Sequence, residues 1–468
     1  MPVKYDKILG EIRENDMLLA TSEEAIAGTD ETKAVTPRAA KDMALNVYST
    51  QAAVYGVLYD PSASSPVCQR VVLNGTQLVS VDSFAELPAH DFRRCVMSNL
   101  ANRTIAYYLD PHDSTKKADG TAADLTGADG DVMVEIPITY WKYQVRSDGK
   151  ILYLVSDQEF SGSTIHPFFY VSPDGHIART QYVGAFQTTI CNASGGRIAN
   201  MMNQEATTPT TYAVGYKARS VAGCKPWTAM TQATHRTAAA NNGGFGVNSL
   251  FHQYLMLMMV IEGGSFDTQT VISPGFVYAS TWNYSFTRIS GRANFGNYTG
   301  RILVDSTQDA AITWQSVSDA LKVIQFSYRG IENPYGEIWT FEDGVQKYQN
   351  VVEGALTDGC YWWTAATSKY TDVDQNAAAS PTYTRVSHAW PASGWAKTWS
   401  PDSFFPLTGG GNSATYMCDY VYNDAAAGAR VVLRGGCVYC GANAGVGFVS
   451  VYYGLAYASP SVGGRLAA

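Results

Sequence analysis

Charged residues are scarce in this chain. They make up 16% of its 468 residues, and the formal net charge is −8, whereas about 25% charged residues is usual for a soluble domain. So few basic residues exclude a basic nucleic-acid-binding protein, and no nucleic-acid partner is expected. The hydrophobic fraction of 46% excludes intrinsic disorder over most of the length.

Long apolar runs are also missing. No stretch approaches the 18 or so consecutive apolar residues that a membrane span needs, and residues 1–16 lack the apolar core of a signal peptide. We therefore expect neither membrane insertion nor Sec-dependent export. The most apolar stretch, residues 250–261, contains His252 and Gln253 and is predicted to form a buried amphipathic helix.

Motifs for catalysis and metal binding are absent from the sequence. It has no G-x-S-x-G, no P-loop and no H-E-x-x-H. Residues 372–376 resemble the start of a calcium loop, but Ala377 and Tyr383 replace the Gly and Glu that an EF-hand requires. We predict no catalytic residue, no metal ligand and no cofactor, while a structural calcium or another oxygen-ligated metal remains open.

Cysteines are few for this length. Eight cysteines are spread thinly along the chain, which disfavours a disulfide framework and favours small, buried, reduced side chains. Cys437 and Cys440 form a C-x-x-C. Because no second such pair and no nearby histidine pair accompanies them, these two cysteines are not predicted to be zinc ligands.

Tyrosine and glycine are abundant instead, with 30 and 42 residues. This composition is typical of a turn-rich, mostly β protein, and Tyr, Ser, Gly and Asn also dominate antibody paratopes. Patterns along the chain predict helical elements in residues 1–50, a β-rich connector in residues 51–125 and a main domain in residues 126–468. Further helical patterns cover residues 250–261 and 316–324.

One short segment near the amino terminus carries a specific resemblance. Residues 20–37, ATSEEAIAGTDETKAVTP, resemble a segment that recurs near the attachment ends and shafts of trimeric bacteriophage tail fibres. The resemblance implies that residues 1–50 are a helical attachment and oligomerisation segment that contacts other phage tail proteins. It also implies a homotrimer, made in the host cytoplasm and located in the virion tail.

The last third of the chain resembles C-type-lectin-fold proteins of the formylglycine-generating-enzyme-like branch. Residues 330–344, GIENPYGEIWTFEDG, match one motif, and residues 432–436 and 462–466, VLRGG and VGGRL, match two further strands. The resemblance implies an α+β fold, a mostly β and irregular C-type-lectin domain with long loops. That branch contains cysteine oxidases, but its cysteines are more widely spaced than Cys437 and Cys440, so we predict that this protein is not an enzyme.

Residues 437–461 resemble the variable region of proteins diversified by diversity-generating retroelements. In that family AAY codons become NNY codons, which cannot encode Lys, Glu, Gln, Met or Trp. None of these five types occurs among the 25 residues 437–461, although they account for about 14% of the chain. Random placement would give this absence about two per cent of the time.

The resemblance implies that the NNY-compatible positions bind a receptor, and such positions should be exposed and adjacent. The predicted receptor-binding residues are Cys437, Tyr439, Cys440, Gly447, Phe448, Ser450, Tyr452, Tyr453, Ala456, Tyr457, Ser459 and Ser461. Interspersed residues would form the scaffold, namely Val438, Gly441, Val446, Val449, Val451, Leu455 and Val462.

These observations predict a phage tail-fibre or tail-tip adhesin that binds a bacterial surface receptor, either protein or glycan. Two alternatives stay open. One is a formylglycine-generating-type cysteine oxidase, and the other is a cellular variable protein displayed on a bacterial surface.

Overall fold

The computed structural model describes residues 19–20, 34–35, 53–84, 91–170, 176–293, 301–305, 312–349, 359–363, 383–386, 390–424 and 426–468. Short strands dominate these ranges, with few helices between them. The fold class is therefore α+β and rich in β structure, as the sequence predicts. The helices predicted for residues 1–50 lie outside the described residues. Within this range the structure describes only Leu19–Ala20 and Ala34–Val35, which pair as short parallel strands.

The first sheet is antiparallel throughout. Its strands, in spatial order, are Thr164–Ile165, Tyr140–Val145, Ile151–Ser156, Val54–Tyr59, Gln69–Asn74 and Gln77–Ser80. One face packs on the main core through Val57, Tyr59 and Tyr153. The other face forms a smaller cluster around Val54, Leu152 and other apolar residues, so the central strands are covered on both sides.

The second sheet is also antiparallel. Its strands, in spatial order, are Phe245–Gly246, Leu466–Ala467, Thr180–Gly184, Asp131–Pro137, Arg93–Asn99 and Thr104–Tyr108. Both sheets combine strands from either side of the predicted boundary between residues 125 and 126. Val54–Tyr59 pairs with Ile151–Ser156, and Arg93–Asn99 pairs with Asp131–Pro137. The β-rich connector is thus joined to the following region by continuous hydrogen bonding.

The third sheet carries the carboxy-terminal segment. Its strands, in spatial order, are Tyr383–Val386, Gly359–Trp363, Trp339–Gln349, Gly428–Arg434, Val449–Val451, Tyr420–Asn423, Gly394–Trp399 and Pro406–Gly409, and Val462–Gly463 pairs in parallel with Trp339–Gln349. There are also two smaller antiparallel sheets among the described residues. One pairs Thr189–Cys191 with Lys217–Arg219. In the other, Val323–Tyr328 is the central strand between Arg301–Asp305 and Ile331–Glu332.

The longest helix in the described part, Ser249–Gly263, confirms the prediction for residues 250–261. Asn248 caps its start by accepting the Phe251 amide, and Gly264 ends it in the left-handed region at φ 65°, which glycine adopts without strain. Nearly every side chain of the helix is buried, so it is a core helix and not an amphipathic surface helix.

The other helices are short. They are Ala199–Met202, Gln232–Ala240 and Thr268–Val271, with 3-10 turns at Pro167–Phe169, Tyr284–Phe286, Asp319–Leu321 and Gly441–Asn443. The helix predicted over residues 316–324 is wrong, because only one 3-10 turn forms before the buried strand Val323–Tyr328 begins. Apolar burial on that strand outweighs the weak helical spacing. Among the described residues no helix is long and apolar enough to cross a bilayer.

Buried polar contacts attach the end of the chain to the rest of the fold. Arg465, 2% exposed, donates to the carbonyl oxygens of Gly184, Ala185, Glu332 and Asn333. These contacts connect the VGGRL and GIENPYG motifs, which lie more than 120 residues apart in the sequence. The two motifs are therefore in direct contact in the folded protein.

Candidate functional site: an aromatic carboxy-terminal surface

Residues 437–461 begin directly after the central strand Gly428–Arg434. Gly435 and Gly436 have φ of 91° and 83°, a backbone region that favours glycine and turns the chain out of the sheet. A turn at Cys437–Cys440 follows, closed by the Cys440 amide donating to the Cys437 carbonyl at 2.9 Å. The chain then re-enters the sheet as Val449–Val451 and leaves it again toward Val462.

The predicted scaffold residues lie where a scaffold requires them. Six are buried and one, Leu455, is half-buried. The buried residues are Val438, Gly441, Val446, Val449, Val451 and Val462. The five valines among them place branched side chains in the core and so anchor the backbone of this segment.

The predicted receptor-binding residues divide into three groups by exposure. Tyr439 and Tyr452 are 47% and 45% exposed, and Ala456 is exposed as well. The half-buried members are Cys440, Tyr453, Tyr457 and Ser459. The expectation of exposure is not met at the remaining positions, which are Cys437, Gly447, Phe448, Ser450 and Ser461.

Packing explains why two of these residues are buried. Phe448 is fully buried, and its ring centroid lies 4.4 Å from that of Trp339. The Gly447 amide donates to Asp419 at 2.8 Å, and a Cβ added to Gly447 would lie 2.5 Å from the same carboxylate. Because Asp419 is itself buried, it cannot move away to accommodate a larger residue.

The remaining buried residues are held by the core or by the backbone. Cys437 belongs to the apolar cluster that contains Trp339, and Ser450 sits on the interior strand Val449–Val451. The Ser461 carbonyl accepts the Trp339 amide at 2.9 Å. These positions support the surface and do not form part of it.

The exposed and half-buried tyrosines of residues 437–461 form an aromatic surface. The rings of Tyr453 and Tyr457 stack in parallel, with centroids 3.6 Å apart and an interplanar angle of 7°. Tyr452 meets Tyr453 edge-on at 5.1 Å, and Tyr439 lies 6.4 Å from Trp282. Partial burial, together with the nearby Cys437, Cys440, Tyr457 and Tyr422 groups, raises the pKa of Tyr439 to about 12.

Neighbouring strands extend this surface with residues that the sequence analysis missed. Tyr420 and Tyr422 lie on Tyr420–Asn423, with ring centroids 4.9 Å apart, and Trp395 lies 5.5 Å from Tyr420. Tyr422 is 36% exposed. The strand pairs in parallel with Val449–Val451, a non-local contact, so only the alternating Y-x-Y spacing could have indicated it.

We define the aromatic surface as Tyr420, Tyr422, Tyr439, Tyr452, Tyr453 and Tyr457. It offers phenol rings and hydroxyl groups, and residues 437–461 contribute no charged side chain to it. Large rings with few rotatable bonds give contact area at a low cost in conformational entropy. Such a surface is suited to binding rather than to proton transfer.

Candidate chemistry elsewhere in the described ranges is limited. No group of three or more His, Cys, Asp or Glu side chains there is arranged to hold a metal ion, and residues 372–376 lie outside them. His252, 3% exposed, has Nδ1 3.8 Å from a carboxylate oxygen of the buried Glu342. Burial, followed by the nearby Arg434 and Arg465, lowers the pKa of His252 well below its usual value, which keeps it a neutral structural group.

The fold and the site together define a β-rich α+β protein with an aromatic surface at the third sheet. No protein-family model and no curated protein matches this chain. Among solved structures, the Major Tropism Determinant P3c Variant aligns over 87% of this chain and 84% of its own, at 9% identity and a TM-score of 0.24.

Two further variants of the same protein align similarly. The Major Tropism Determinant U1 Variant covers 87% of this chain and 84% of its own at 10% identity, with a TM-score of 0.26. The M1 Variant covers 87% and 83% at 11% identity, also with a TM-score of 0.26. TM-scores this far below 0.5 do not establish a shared fold.

Proposed function

We propose that this protein is a non-enzymatic receptor-binding protein of a bacteriophage tail, and that the aromatic surface binds a molecule on the bacterial cell surface. The observation that carries the proposal is the exposure of Tyr439 and Tyr452 on a segment whose intervening residues are buried. Exposed aromatic residues that a buried scaffold holds in place are a common source of binding hot spots. Residues 20–37, which resemble tail-fibre segments, support the assignment to a phage tail.

The net charge fits a short-range mode of binding. A formal net charge of −8 over 468 residues provides no positive electrostatic field that would attract an acidic cell envelope. Individual contacts by an uncharged surface are modest, so assembly as a homotrimer would raise the overall affinity through avidity. Other tail proteins would contact the amino-terminal segment in such a particle.

Replacing Tyr439 and Tyr452 together by serine should strongly weaken binding to cells. Each exposed aromatic hot spot contributes about 2 kcal/mol or more, so losing both should weaken binding about a thousandfold. The measurement uses the fluorescently labelled full chain and flow cytometry over a panel of bacterial strains. Protease treatment of the bound strain would remove a protein receptor, and periodate treatment would modify a glycan.

A matched control is available on the first sheet. Tyr143 is 41% exposed and lies outside the aromatic surface, so Tyr143→Ser should leave cell binding unchanged. Equal binding by the wild type and the Tyr439/Tyr452 double variant, with both proteins folded, would contradict the proposed role of the surface.

We also propose that a retroelement diversifies residues 437–461, which form most of this surface. A reverse-transcriptase gene and an imperfect repeat of the codons for residues 437–461 are then expected in the neighbouring DNA. The repeat should carry adenines at the codons for Tyr439, Tyr452 and Tyr457, which face solvent or are half-buried. Sequencing the flanking region tests this, and a repeat that differs at non-adenine positions would contradict it.

The structure adds a restriction to that test. Any residue other than glycine at position 447 would place a Cβ against Asp419. We therefore expect no adenine-directed change at the Gly447 codon.

A further inference from the structure

The geometry points to a disulfide-forming site at Cys437 and Cys440, directly beneath the aromatic surface. Their sulfur atoms lie 2.9 Å apart with both thiols free. A disulfide needs about 2.05 Å, so the remaining approach is less than about 1 Å. Because the Cys440 amide donates to the Cys437 carbonyl, the two residues occupy the ends of a tight turn, and such turns keep the Cα atoms within about 7 Å.

The two thiols differ in access and therefore in chemical role. Cys440 is half-buried, whereas Cys437 has no exposed surface. The Cys437 amide donates to the Cys440 sulfur at 3.1 Å, which holds that sulfur next to Cys437 in the turn. Cys440 is thus the attacking thiol and Cys437 the resolving thiol.

Groups around Cys437 both oppose and assist its ionisation. Burial, and then the adjacent Cys440 sulfur, raises the pKa of the Cys437 thiol well above its usual value. The Tyr439 amide and the Trp339 indole N–H act in the opposite direction by donating toward this sulfur. Cys437 by itself is therefore unreactive toward solution reagents, but it can attack a neighbouring sulfur that already carries a leaving group.

The reaction is a balanced thiol–disulfide exchange with a small-molecule disulfide as the oxidant. The Cys440 thiolate attacks one sulfur of the oxidant and forms a mixed disulfide, and the first small thiolate leaves. The Cys437 thiolate then attacks the Cys440 sulfur and expels the second small thiolate. Two protein thiols are oxidised, one small-molecule disulfide is reduced to two thiols, and the two thiol protons pass to those products.

The bond would constrain the aromatic surface. Only Val438 and the exposed Tyr439 lie between the two cysteines. The disulfide would therefore close a four-residue loop that carries Tyr439, one of the most exposed side chains of the aromatic surface. The protein would be reduced in a cytoplasm and oxidised outside it. The site thus rigidifies Tyr439 in the compartment where a surface receptor would be met.

Mass spectrometry of the full-length wild-type chain tests this inference without a binding assay. The native protein is equilibrated with oxidised glutathione, then denatured, alkylated and digested with trypsin. Residues 435–465 contain no internal Lys or Arg, and their only cysteines are Cys437 and Cys440. We expect the peptide to lose both alkylation sites and to be two hydrogens lighter, and to regain both sites after reduction.

Cys191 and Cys224 provide the matched control. They are buried in the same apolar cluster as Cys437, and they should stay reduced and become alkylated after denaturation. The inference would be overturned if peptide 435–465 kept two free thiols or carried only glutathione adducts. Both outcomes are independent of whether the protein binds cells.

Single variants test the two assigned roles. Cys437→Ser should leave Cys440 as a stable glutathione adduct, because no resolving thiol remains. Cys440→Ser should leave Cys437 unmodified in the native protein. Rapid adduct formation on Cys437 in the second variant would overturn the assignment of Cys440 as the attacking thiol, and the wild-type experiment stands even if one variant does not fold.

Discussion

Replacing Phe448 by alanine is expected to destabilise the protein by about 3–5 kcal/mol, the usual range for removing a buried aromatic ring. The Phe448 ring is fully buried and contacts Trp339 and Tyr422, with ring centroids 4.4 and 5.6 Å away. A Cβ placed on Gly436 would lie 2.9 Å from the same ring, which shows how closely the backbone packs there. Urea unfolding monitored by tryptophan fluorescence measures the change.

Tyr452→Ala is the matched control for this substitution. It also removes an aromatic ring from residues 437–461, but Tyr452 is 45% exposed, so the free energy of unfolding should change by less than about 1 kcal/mol. A small effect of Phe448→Ala would mean that position 448 tolerates replacement, as the sequence analysis predicted for a variable residue. A large effect would show that the position belongs to the core.

The difference between the predicted and observed surface has a physical cause. Compatibility with an NNY codon is a property of the genetic code, so it identifies a segment but carries no information on burial. Phe448 and Tyr452 satisfy the codon rule equally, yet one packs on Trp339 and the other faces solvent. The alternating valines did predict the scaffold, because Val449 and Val451 lie on one strand with a period of two.

Non-local pairing limited the sequence analysis elsewhere. The helix Ser249–Gly263 was predictable because a long apolar run with local capping specifies it. The contribution of Tyr420 and Tyr422 to the aromatic surface depends on parallel pairing with a strand almost thirty residues away. The connection of residues 51–125 to the rest of the fold likewise depends on hydrogen bonding between strands that are distant in the sequence. Patterns of residue type along a single sequence do not show which strands will pair.

Lowering the pH from 7 to 4 is expected to cost the wild type about 3 kcal/mol of stability through His166 alone. His166 is 1% exposed and lies between the rings of Trp141 and Tyr254, with centroids 4.8 and 5.2 Å away. Burial lowers the pKa of His166 to about 3, from an ordinary value of 6.5. The unfolded chain therefore takes up a proton below pH 6.5, whereas the folded chain remains neutral at this site until about pH 3.

His166→Asn separates this effect from other titrations. His166 caps the 3-10 turn Pro167–Phe169 by accepting the Phe168 amide at its Nδ1, a role that an asparagine oxygen can also fill. Asparagine does not titrate, so the variant should lose about 3 kcal/mol less stability than the wild type between pH 7 and pH 4. Burial also lowers the pKa of His235, to about 4. Because His235 is present in both proteins, its contribution to the pH dependence of stability is the same in each and cancels in the comparison.

Urea unfolding of both proteins at pH 7 and pH 4 gives the loss of stability between the two pH values for each protein, and the two losses are then compared. Any cavity left by the smaller asparagine reduces stability at both pH values and drops out of the comparison. Equal losses in the two proteins would contradict the neutral, buried state of His166. A smaller loss in the variant would show that the packing of His166 between Trp141 and Tyr254, which joins the first sheet to the core helix, makes the folded protein sensitive to acid.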